Sequence, residues 1–257
     1  MTLAIDVGNT HIVVGCIHNN NIRNVFRLST SIHRTAEEYS VQLSNILTFH
    51  DINREEITGV ALSSVVPPLT GVINEAVQIL IGLKAIVVGA GIKTGMNILI
   101  DNPAELGADI VATSVGALAY YEPPIILVDM GTATKIFVLN KMGSLIGGAI
   151  LPGMALSANS LARGASQLPN VPLEAPAKSI STNTIECMKS GIVLGTASAI
   201  DGMIERFEEE LGESAQIVAT GGLSETVYRH CKREIIHDPD LILRGLNLIF
   251  EKNKKAK

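Results

Sequence analysis

The same short motif occurs twice in this chain, each time at the end of an apolar run. Leu3-Ala-Ile-Asp6-Val-Gly8 near the start returns as Ile126-Leu-Val-Asp129-Met-Gly131 near the middle, with the two aspartates 123 positions apart. A β-rich run follows each copy, so each Asp-x-Gly motif is expected in the turn of a β-hairpin. The repeat therefore predicts a duplicated fold with one motif in each half.

Length and patterning agree with a duplication. The chain has 257 residues, of which 47% are hydrophobic, enough to bury a substantial core in one large or two ordinary domains. The spacing of the repeat favours two domains, residues 1–117 and 118–257, joined by a helix. Alternating strand and helix patterns predict α/β domains with largely parallel, covered sheets.

Local signals place the main elements. Thr35 and Glu38 have the spacing of a capping box, which predicts a helix beginning at Thr35. Further predicted elements are a strand at 59–66, a helix at 70–81, a strand at 85–88, a helix from Asn102 to about Tyr121, hairpins at 125–150, a long helix from about Thr184, a strand at 216–220 and closing helices. Gly195 and Gly202 fall inside the long helix, where close approach of another helix or a ligand would explain them.

The two motifs have the chemistry of a phosphate site. Glycine lets the backbone approach an anion, N–H groups and Thr or Asn side chains donate hydrogen bonds, and aspartate can hold a hydrated metal. Two facing copies would hold one polyphosphate between them. Thr220-Gly-Gly222 also ends a predicted strand before a helix, where bare backbone can lie against adenosine. The competing interpretation is that these residues only shape turns.

Bulk properties exclude several classes of partner. The formal charge is −5 and the pI about 5.7, so no basic field attracts nucleic acid or a membrane surface. Three widely spaced cysteines, no signal segment and no apolar run of about 20 residues predict a cytoplasmic protein with reduced thiols. The basic end, residues 252–257, is expected to be frayed.

Familiar nucleotide motifs are missing. The chain has no GxxxxGK[ST] loop, no GxGxxG between a strand and a helix, and no kinase-type HRD or DFG. Gly107-Ala-Asp109 lies early in a predicted helix, where an acid could simply complement the helix dipole. Any ATP site here would be of a different kind.

The motifs together resemble the type III pantothenate kinase family, of the acetate and sugar kinase, heat-shock ATPase and actin superfamily. The likeness runs along nearly the whole chain, through Asp6-Val-Gly-Asn-Thr10, Ser63-Ser-Val-Val-Pro67, Asp101-Asn-Pro103, Gly107-Ala-Asp109, Asp129-Met-Gly-Thr-Ala-Thr134, Gly147-Gly148, Pro152-Gly153, Gln167-Leu-Pro169, Thr184 and Thr220-Gly-Gly222. The resemblance implies two duplicated ribonuclease H-like (actin-like ATPase) domains, each a mixed sheet flanked by helices.

The resemblance also implies ATP-dependent phosphorylation of pantothenate to 4'-phosphopantothenate, the first step of coenzyme A biosynthesis. It implies a homodimer that uses Mg²⁺ with ATP and a monovalent cation, K⁺ or NH₄⁺. The implied roles are a general base at Asp109, magnesium at Asp6, the monovalent cation at Asp129, acceptor contacts at Gly107, Ala108, Asp109, Ile110 and Thr184, and ATP contacts at Asp6, Val7, Gly8, Asn9, Thr10, His11, Ile12, Val13, Thr132, Gly221 and Gly222.

Four positions depart from the family pattern. Ile110 stands where the family has an arginine after Gly-Ala-Asp, and Ile100 where it has a substrate-contacting tyrosine. Lys135 and Phe137 replace the usual Thr and Asp after the second motif. Three interpretations stay open: a working pantothenate kinase, a kinase for another small acceptor, or a nucleotide-binding regulator without turnover.

Overall fold

The structure of the chain is a computed structural model that describes residues 1–254. It contains two compact units. One comprises residues 1–96, 101–119 and the chain from residue 240 onward, and the other comprises residues 97–100 and 120–239. Residues 255–257, part of the end expected to be frayed, lie outside the described residues.

Each unit contains one five-stranded sheet. The strands are β1 Thr2–Val7, β2 His11–His18, β3 Asn21–Ser29, β4 Gly59–Ser64, β5 Ile86–Val87, β6 Ile125–Met130, β7 Ala133–Leu139, β8 Leu145–Pro152, β9 Gln216–Thr220 and β10 Ile236–His237. Their order is β3-β2-β1-β4-β5 in the first sheet and β10-β9-β6-β7-β8 in the second, which is the same arrangement written in reverse.

The helices complete the two units. They are α1 Ala36–Phe49, α2 Pro67–Ile81, α3 Ala108–Tyr120, α4 Met154–Gly164, α5 Thr184–Lys189, α6 Gly195–Leu211, α7 Ser224–Tyr228 and α8 Leu241–Asn253, with a π-helical segment at Ser190–Leu194 between α5 and α6 and 3₁₀ turns at Arg54–Glu56 and Pro103–Glu105. None of these helices within residues 1–254 is long and apolar enough to cross a membrane.

The sheet pairings confirm the duplication that the repeat predicts. In the first unit β1 pairs antiparallel with β2 and parallel with β4. In the second unit β6 pairs antiparallel with β7 and parallel with β9. Each sheet is therefore mixed: a three-stranded antiparallel meander continues into two parallel strands. The parallel part agrees with the sequence, whereas the extent of the antiparallel part was underestimated.

The two faces of the first sheet carry side chains of different size. Large residues of β1, such as Leu3 and Ile5, pack with α1 and α2 in one buried cluster. The opposite face has small residues, and α8 lies against β1 and β4. Leu243 contacts the sheet at Gly15 and Phe250 contacts it at Gly59. Side chains alternate between the two faces of a strand. One face of this sheet therefore carries large apolar residues, and the other carries small ones that α8 can approach closely.

The second sheet has one well-packed helical layer. Side chains of β6, β7 and β9 join residues of α4, the π segment, α6 and α7 in a buried cluster, for example Val128, Ile136, Val193 and Ile200. Ile200 and Ile204 stand four positions apart on α6 and are both fully buried, as a helix stripe requires.

Several local predictions are confirmed. Thr35 caps α1, and its capping box with Glu38 is complete. The hairpins around both motifs, strand β9 and the Gly-Gly turn before α7 form as expected. Helix α2 begins at Pro67 rather than residue 70, because proline fits the first turn, where no N–H acceptor is needed.

Other elements differ from the prediction. The helix expected from Asn102 is a 3₁₀ turn followed by α3, which begins only at Ala108. Asn183, not Thr184, caps α5 through its side chain. Strands β3 and β10 and helix α4 were not predicted. Asn19 and Asn20 have positive φ in the turn before β3. The Asn-Asn pair, which is typical of tight hairpin turns, is the sequence signal that could have revealed this third strand.

The C-terminal helix belongs to a different unit than its sequence position suggests. The predicted ranges, 1–117 and 118–257, place it in the second domain, whereas α8 packs on the first sheet. Its apolar face supplies Leu243 and Leu246 to that interior. Lys252 and Asn253 are helical rather than frayed, and Asn253 donates a hydrogen bond to the carbonyl of Lys93.

Glycines set the distance between α3 and α8. A Cβ on Gly245 would collide with the carbonyl oxygen of Ala112, and a Cβ on Gly116 would lie 2.5 Å from the carbonyl oxygen of Leu241. Gly195 and Gly202 behave differently, because a Cβ there meets nothing within 4 Å. The close approach expected at Gly195 and Gly202 is therefore absent from the described structure.

This contrast predicts opposite effects of two Gly→Ala substitutions in helices. Gly245→Ala should lower the free energy of unfolding by about 1–3 kcal/mol, because the new methyl group overpacks a backbone contact. Gly202→Ala should raise it by up to about 1 kcal/mol, because alanine is the better helix former. Urea denaturation of both variants checks this. Equal shifts in the same direction would contradict the close α3–α8 contact.

Candidate active site

The first Asp-x-Gly turn is held by bonds within its own unit. The N–H of Gly8 donates to the carbonyl of His11 over 3.0 Å, and the hydroxyl of Thr30 donates to the carbonyl of Gly8 over 2.7 Å. Asn9, Thr10 and His11 are exposed at this turn. Two hydrogen bonds therefore fix Gly8 within the turn, and polar side chains project from it.

The eight ATP contacts predicted in the first hairpin differ in how accessible they are. Val7 and Ile12 are buried in the apolar core, so their side chains are not available to a ligand. The N–H of Gly8 is used within the turn and does not point to a phosphate. Asn9, Thr10 and His11 offer exposed side chains, and Asp6 and Val13 are half-buried beside them in the sheet.

A buried hydroxyl stands next to Asp6. Ser63 is the residue paired with Asp6 in the parallel β1–β4 ladder, so the two side chains project from the same face. The hydroxyl oxygen of Ser63 is buried and has no hydrogen-bond partner within residues 1–254. An unsatisfied buried hydroxyl is costly, which makes it a sign of a missing ligand or water.

The oxygens of Asp6 and Ser63 fit magnesium that arrives with a nucleotide. Mg²⁺ prefers hard oxygen ligands and usually takes one or two carboxylates together with phosphates and water. Within residues 1–254 no group of three or more His, Cys, Asp or Glu side chains could hold a metal. A shared site of protein and phosphate oxygens is compatible with both facts.

The second turn repeats the first but adds a helix. The N–H of Gly131 donates to the carbonyl of Ala133 over 3.1 Å, as Gly8 does in the first unit. Gly153, the N-cap of α4, donates to the carbonyl of Thr132 over 3.2 Å. The N–H groups of a first helical turn have no intrahelical acceptor and favour anions. Exposed Thr132 therefore lies beside the N-terminus of α4, which favours anions and which the sequence did not predict.

Asp129 makes a contact that the sequence did not predict. The ammonium nitrogen of Lys135 lies 2.6 Å from Oδ2 of Asp129, and their side chains are only 16% and 22% exposed. The two residues are direct partners in the antiparallel β6–β7 pair. A lysine cation thus occupies the carboxylate that the resemblance assigns to K⁺ or NH₄⁺. The residues present do not fit an additional monovalent cation at Asp129.

The Gly-Gly turn after β9 closes against the second motif. Gly221 has φ of +96°, a conformation that side chains disfavour. A Cβ there would lie 2.6 Å from the backbone nitrogen of Met130 and 2.7 Å from Oδ1 of Asp129. Gly222 is exposed, so its backbone is the part of this turn that a nucleotide base or ribose could contact.

Asp109 is the second residue of α3 and is only 8% exposed. Its Oδ1 accepts a hydrogen bond from the N–H of Ile110 over 2.8 Å and packs against Gly107. This carboxylate therefore complements the helix N-terminus, as the simpler interpretation expects. Ile110 is also 8% exposed and belongs to the apolar interior, so a charged arginine at this position would have to be buried.

Thr184 lines a separate feature of the second unit. It is exposed in the first turn of α5 and borders a cavity of about 580 Å³. Leu161, Leu168, Asn183, Cys187 and Met188 also line this cavity, whereas Asp129, Thr132 and Gly221 do not. The volume suits a small organic molecule. Within the second unit, the Asp129 turn therefore lies outside the lining of this cavity.

Two of the three cysteines are shielded from water. Burial raises the pKa of the Cys16 and Cys231 thiols to about 12, so both remain protonated at neutral pH. Cys187 is exposed.

Comparison with solved structures identifies the class of fold. Component A of the (R)-2-hydroxyglutaryl-CoA dehydratase of Acidaminococcus fermentans superposes with a TM-score of 0.59 and 15% identity, covering 98% of this chain and 97% of that one. At this identity the likeness shows the fold alone. Together with the repeated sheets, it confirms two duplicated ribonuclease H-like (actin-like ATPase) domains, each a mixed sheet flanked by helices.

Sequence comparison is more specific. The family described as type III pantothenate kinase matches residues 2–206. A type III pantothenate kinase of Roseiflexus castenholzii is 41% identical over 99% of this chain and 100% of its own length, and one of an Exiguobacterium species is 38% identical over the same shares. The chain belongs to the type III pantothenate kinase family.

Proposed function

We propose that this chain transfers the γ-phosphate of ATP to pantothenate, giving 4'-phosphopantothenate, the first step of coenzyme A biosynthesis. The observation that carries the proposal is the full-length similarity to relatives of that name, at 38–41% identity. Two hydrogen-bonded Asp-x-Gly hairpins with exposed hydroxyl residues support it, because phosphoryl transfer depends mainly on positioning and on stabilising charge.

Each unit offers its own contacts to a nucleotide. In the first unit Asp6 and Ser63 would hold the metal, and the exposed turn around Thr10 has side chains suited to phosphate oxygens. In the second unit Thr132, the N-terminus of α4 and the backbone of Gly222 have the chemistry to contact ATP. Magnesium, when bound with ATP, would neutralise phosphate charge.

Asp109 is the proposed general base. Its carboxylate accepts the proton of the pantothenate hydroxyl while the hydroxyl oxygen forms a bond to the γ-phosphorus, and the bond from that phosphorus to the bridging oxygen of ADP breaks. Gly107 supports the carboxylate from behind and the N–H of Ile110 orients it. Thr184, at the edge of a cavity of sufficient volume, contributes a hydroxyl to the acceptor.

A second candidate is a kinase for another small alcohol. The buried Ile110 favours it, since this position provides no cation for the acceptor carboxylate. A nucleotide-binding regulator without turnover is the third possibility and differs from both in its kinetics.

A coupled ADP-release assay separates these candidates. The whole chain is assayed with MgATP in potassium chloride buffer, with and without pantothenate, and ATP binding is measured in parallel by calorimetry. We expect pantothenate-dependent ADP release. ATP binding without pantothenate-dependent turnover would reject the proposed acceptor, and a rate that rises with another alcohol would support the second candidate.

The first hairpin should determine magnesium-dependent nucleotide affinity. Asp6→Asn removes the negative charge beside Ser63, and we expect MgATP affinity to fall by about 10- to 100-fold, as for other lost metal ligands. Asp51→Asn is a matched control, because Asp51 is exposed and has a φ of 54° that asparagine also adopts. Calorimetry with and without Mg²⁺ gives the affinities. Unchanged MgATP affinity in Asp6→Asn would show that Asp6 does not hold the metal.

Removing the proposed base should affect rate and spare nucleotide binding. Asp109→Asn keeps an oxygen that can accept from the N–H of Ile110, so the start of α3 should persist. We expect kcat to fall by about 10²- to 10⁴-fold, because a positioned proton acceptor is lost. Steady-state kinetics, with circular dichroism to verify the fold, checks this. A folded variant with near-normal kcat would exclude Asp109 as the base.

We also propose that the chain forms a homodimer, as the resemblance implies. The apolar stretch around α3 is not the surface that supports this, because Val111, Val115 and their neighbours are buried within the first unit. Exposed Ile146 and Ile150 on the edge strand β8 offer an apolar surface instead.

Light scattering should give twice the chain mass of 27.2 kDa at micromolar concentration. Ile150→Glu should shift the mass toward that of the single chain, because a charge at the centre of an apolar interface is costly. A wild-type chain that remains monomeric would contradict the proposal.

A further inference from the structure

The strongest unexplained feature is the pairing of Lys135 with Asp129. We propose that the Lys135 ammonium group is a built-in replacement for a monovalent cation, so that this protein works without K⁺ or NH₄⁺. The predicted effect on the reaction rate rests on the proposed kinase function. The predicted absence of cation binding at Asp129 does not. A protonated lysine amine is a substituted ammonium ion attached to the chain, and it has the charge that K⁺ or NH₄⁺ would supply.

The geometry fixes the ammonium group at the carboxylate. Lys135 and Asp129 are cross-strand partners, so the sheet itself sets the distance between their backbones. The side-chain atoms meet at 2.6 Å with most of both side chains shielded from water. Shielding reduces the screening that weakens exposed ion pairs.

The other oxygen of the carboxylate is also enclosed. A Cβ on Gly221 would lie 2.7 Å from Oδ1 of Asp129, so the backbone of the Gly-Gly turn borders that side. Lys135 approaches Oδ2 from the opposite neighbouring strand. A free cation that entered here would compete with Lys135 for the same carboxylate and would be repelled by its charge.

The first unit has no corresponding lysine. Val13 is the antiparallel partner of Asp6, in the place that Lys135 takes opposite Asp129. The parallel partners also differ, Ser63 opposite Asp6 and Thr220 opposite Asp129. The two copies therefore share a strand pairing and differ in the charge beside the aspartate. Asp6 has uncharged cross-strand neighbours, whereas Asp129 has the Lys135 ammonium group beside it.

The test compares cations at constant ionic strength. Wild-type protein is assayed in potassium, ammonium, sodium and choline chloride, with thermal unfolding measured in the same buffers. We expect pantothenate-dependent rates to differ by less than about twofold and Tm to show no specific effect of K⁺, since screening is equal.

Lys135→Thr restores the residue usual in the family and opens the carboxylate. We expect its rate in choline chloride to fall by about 10- to 100-fold, with recovery in K⁺ or NH₄⁺ and a K⁺-specific rise in Tm. Lys141→Thr is the control, because it removes a lysine from the turn between β7 and β8, away from Asp129. Lys141 is exposed, and its ion pair with Glu213 is long, at 3.7 Å. Lys135→Gln, of similar length and without charge, replaces the threonine variant if that variant does not fold.

The outcomes distinguish this inference from the proposed function. Strong activation of the wild type by K⁺ over choline, or a K⁺-specific rise in its Tm, would overturn the inference and leave the kinase proposal intact. Absence of turnover in every buffer, with a K⁺-specific Tm rise only in the Lys135 variant, would reject the kinase proposal and support the ion replacement. Variants that respond to cations as the wild type does would also overturn it.

Discussion

Each sheet has a central strand that is hydrogen-bonded to a neighbour on both sides. This pairing determines where the proposed phosphate-binding turn lies. β1 is bonded to β2 on one side and β4 on the other, and β6 is bonded in the same way to β7 and β9. The apolar side chains of β1 are buried on both faces. A slip by one residue would turn every side chain to the wrong face, so the register is strongly specified. That register fixes the backbone positions of Asp6 and Asp129.

A common strand pairing leaves room for chemical difference between the copies. A glycine N–H bond closes each turn, from Gly8 to a carbonyl three residues later and from Gly131 to a carbonyl two residues later. The residues across the strands from the two aspartates differ between the copies, Val13 and Ser63 in the first and Lys135 and Thr220 in the second. Duplication thus explains the matching geometry, and substitution at a few paired positions explains why one copy has a neutral neighbour and the other a lysine.

The sequence predicted those features that depend on neighbours along the chain. The capping box at Thr35, the hairpin turns and the Gly-Gly turn are local, and the duplication is visible because both copies keep their pattern. Features that depend on distant pairing were missed. The edge strand β3 and the helix α4 bury few residues, one in β3 and two in α4. The placement of α8 on the first sheet depends on tertiary contacts that no local pattern contains.

Departures from the family pattern follow the same division. Ile110 and Lys135 both replace residues of the family motif. In the structure their surroundings differ: one is apolar and the other is a carboxylate. Ile110 lies on α3 and is buried in the apolar interior, where a charge would need compensation. Lys135 is paired with the carboxylate that its cross-strand position provides. The turn length decides this pairing: Asp6 opposes a residue seven positions later, whereas Asp129 opposes one six positions later. Because motif spacing does not encode the partner across the sheet, a substituted residue can be interpreted only when the register is known.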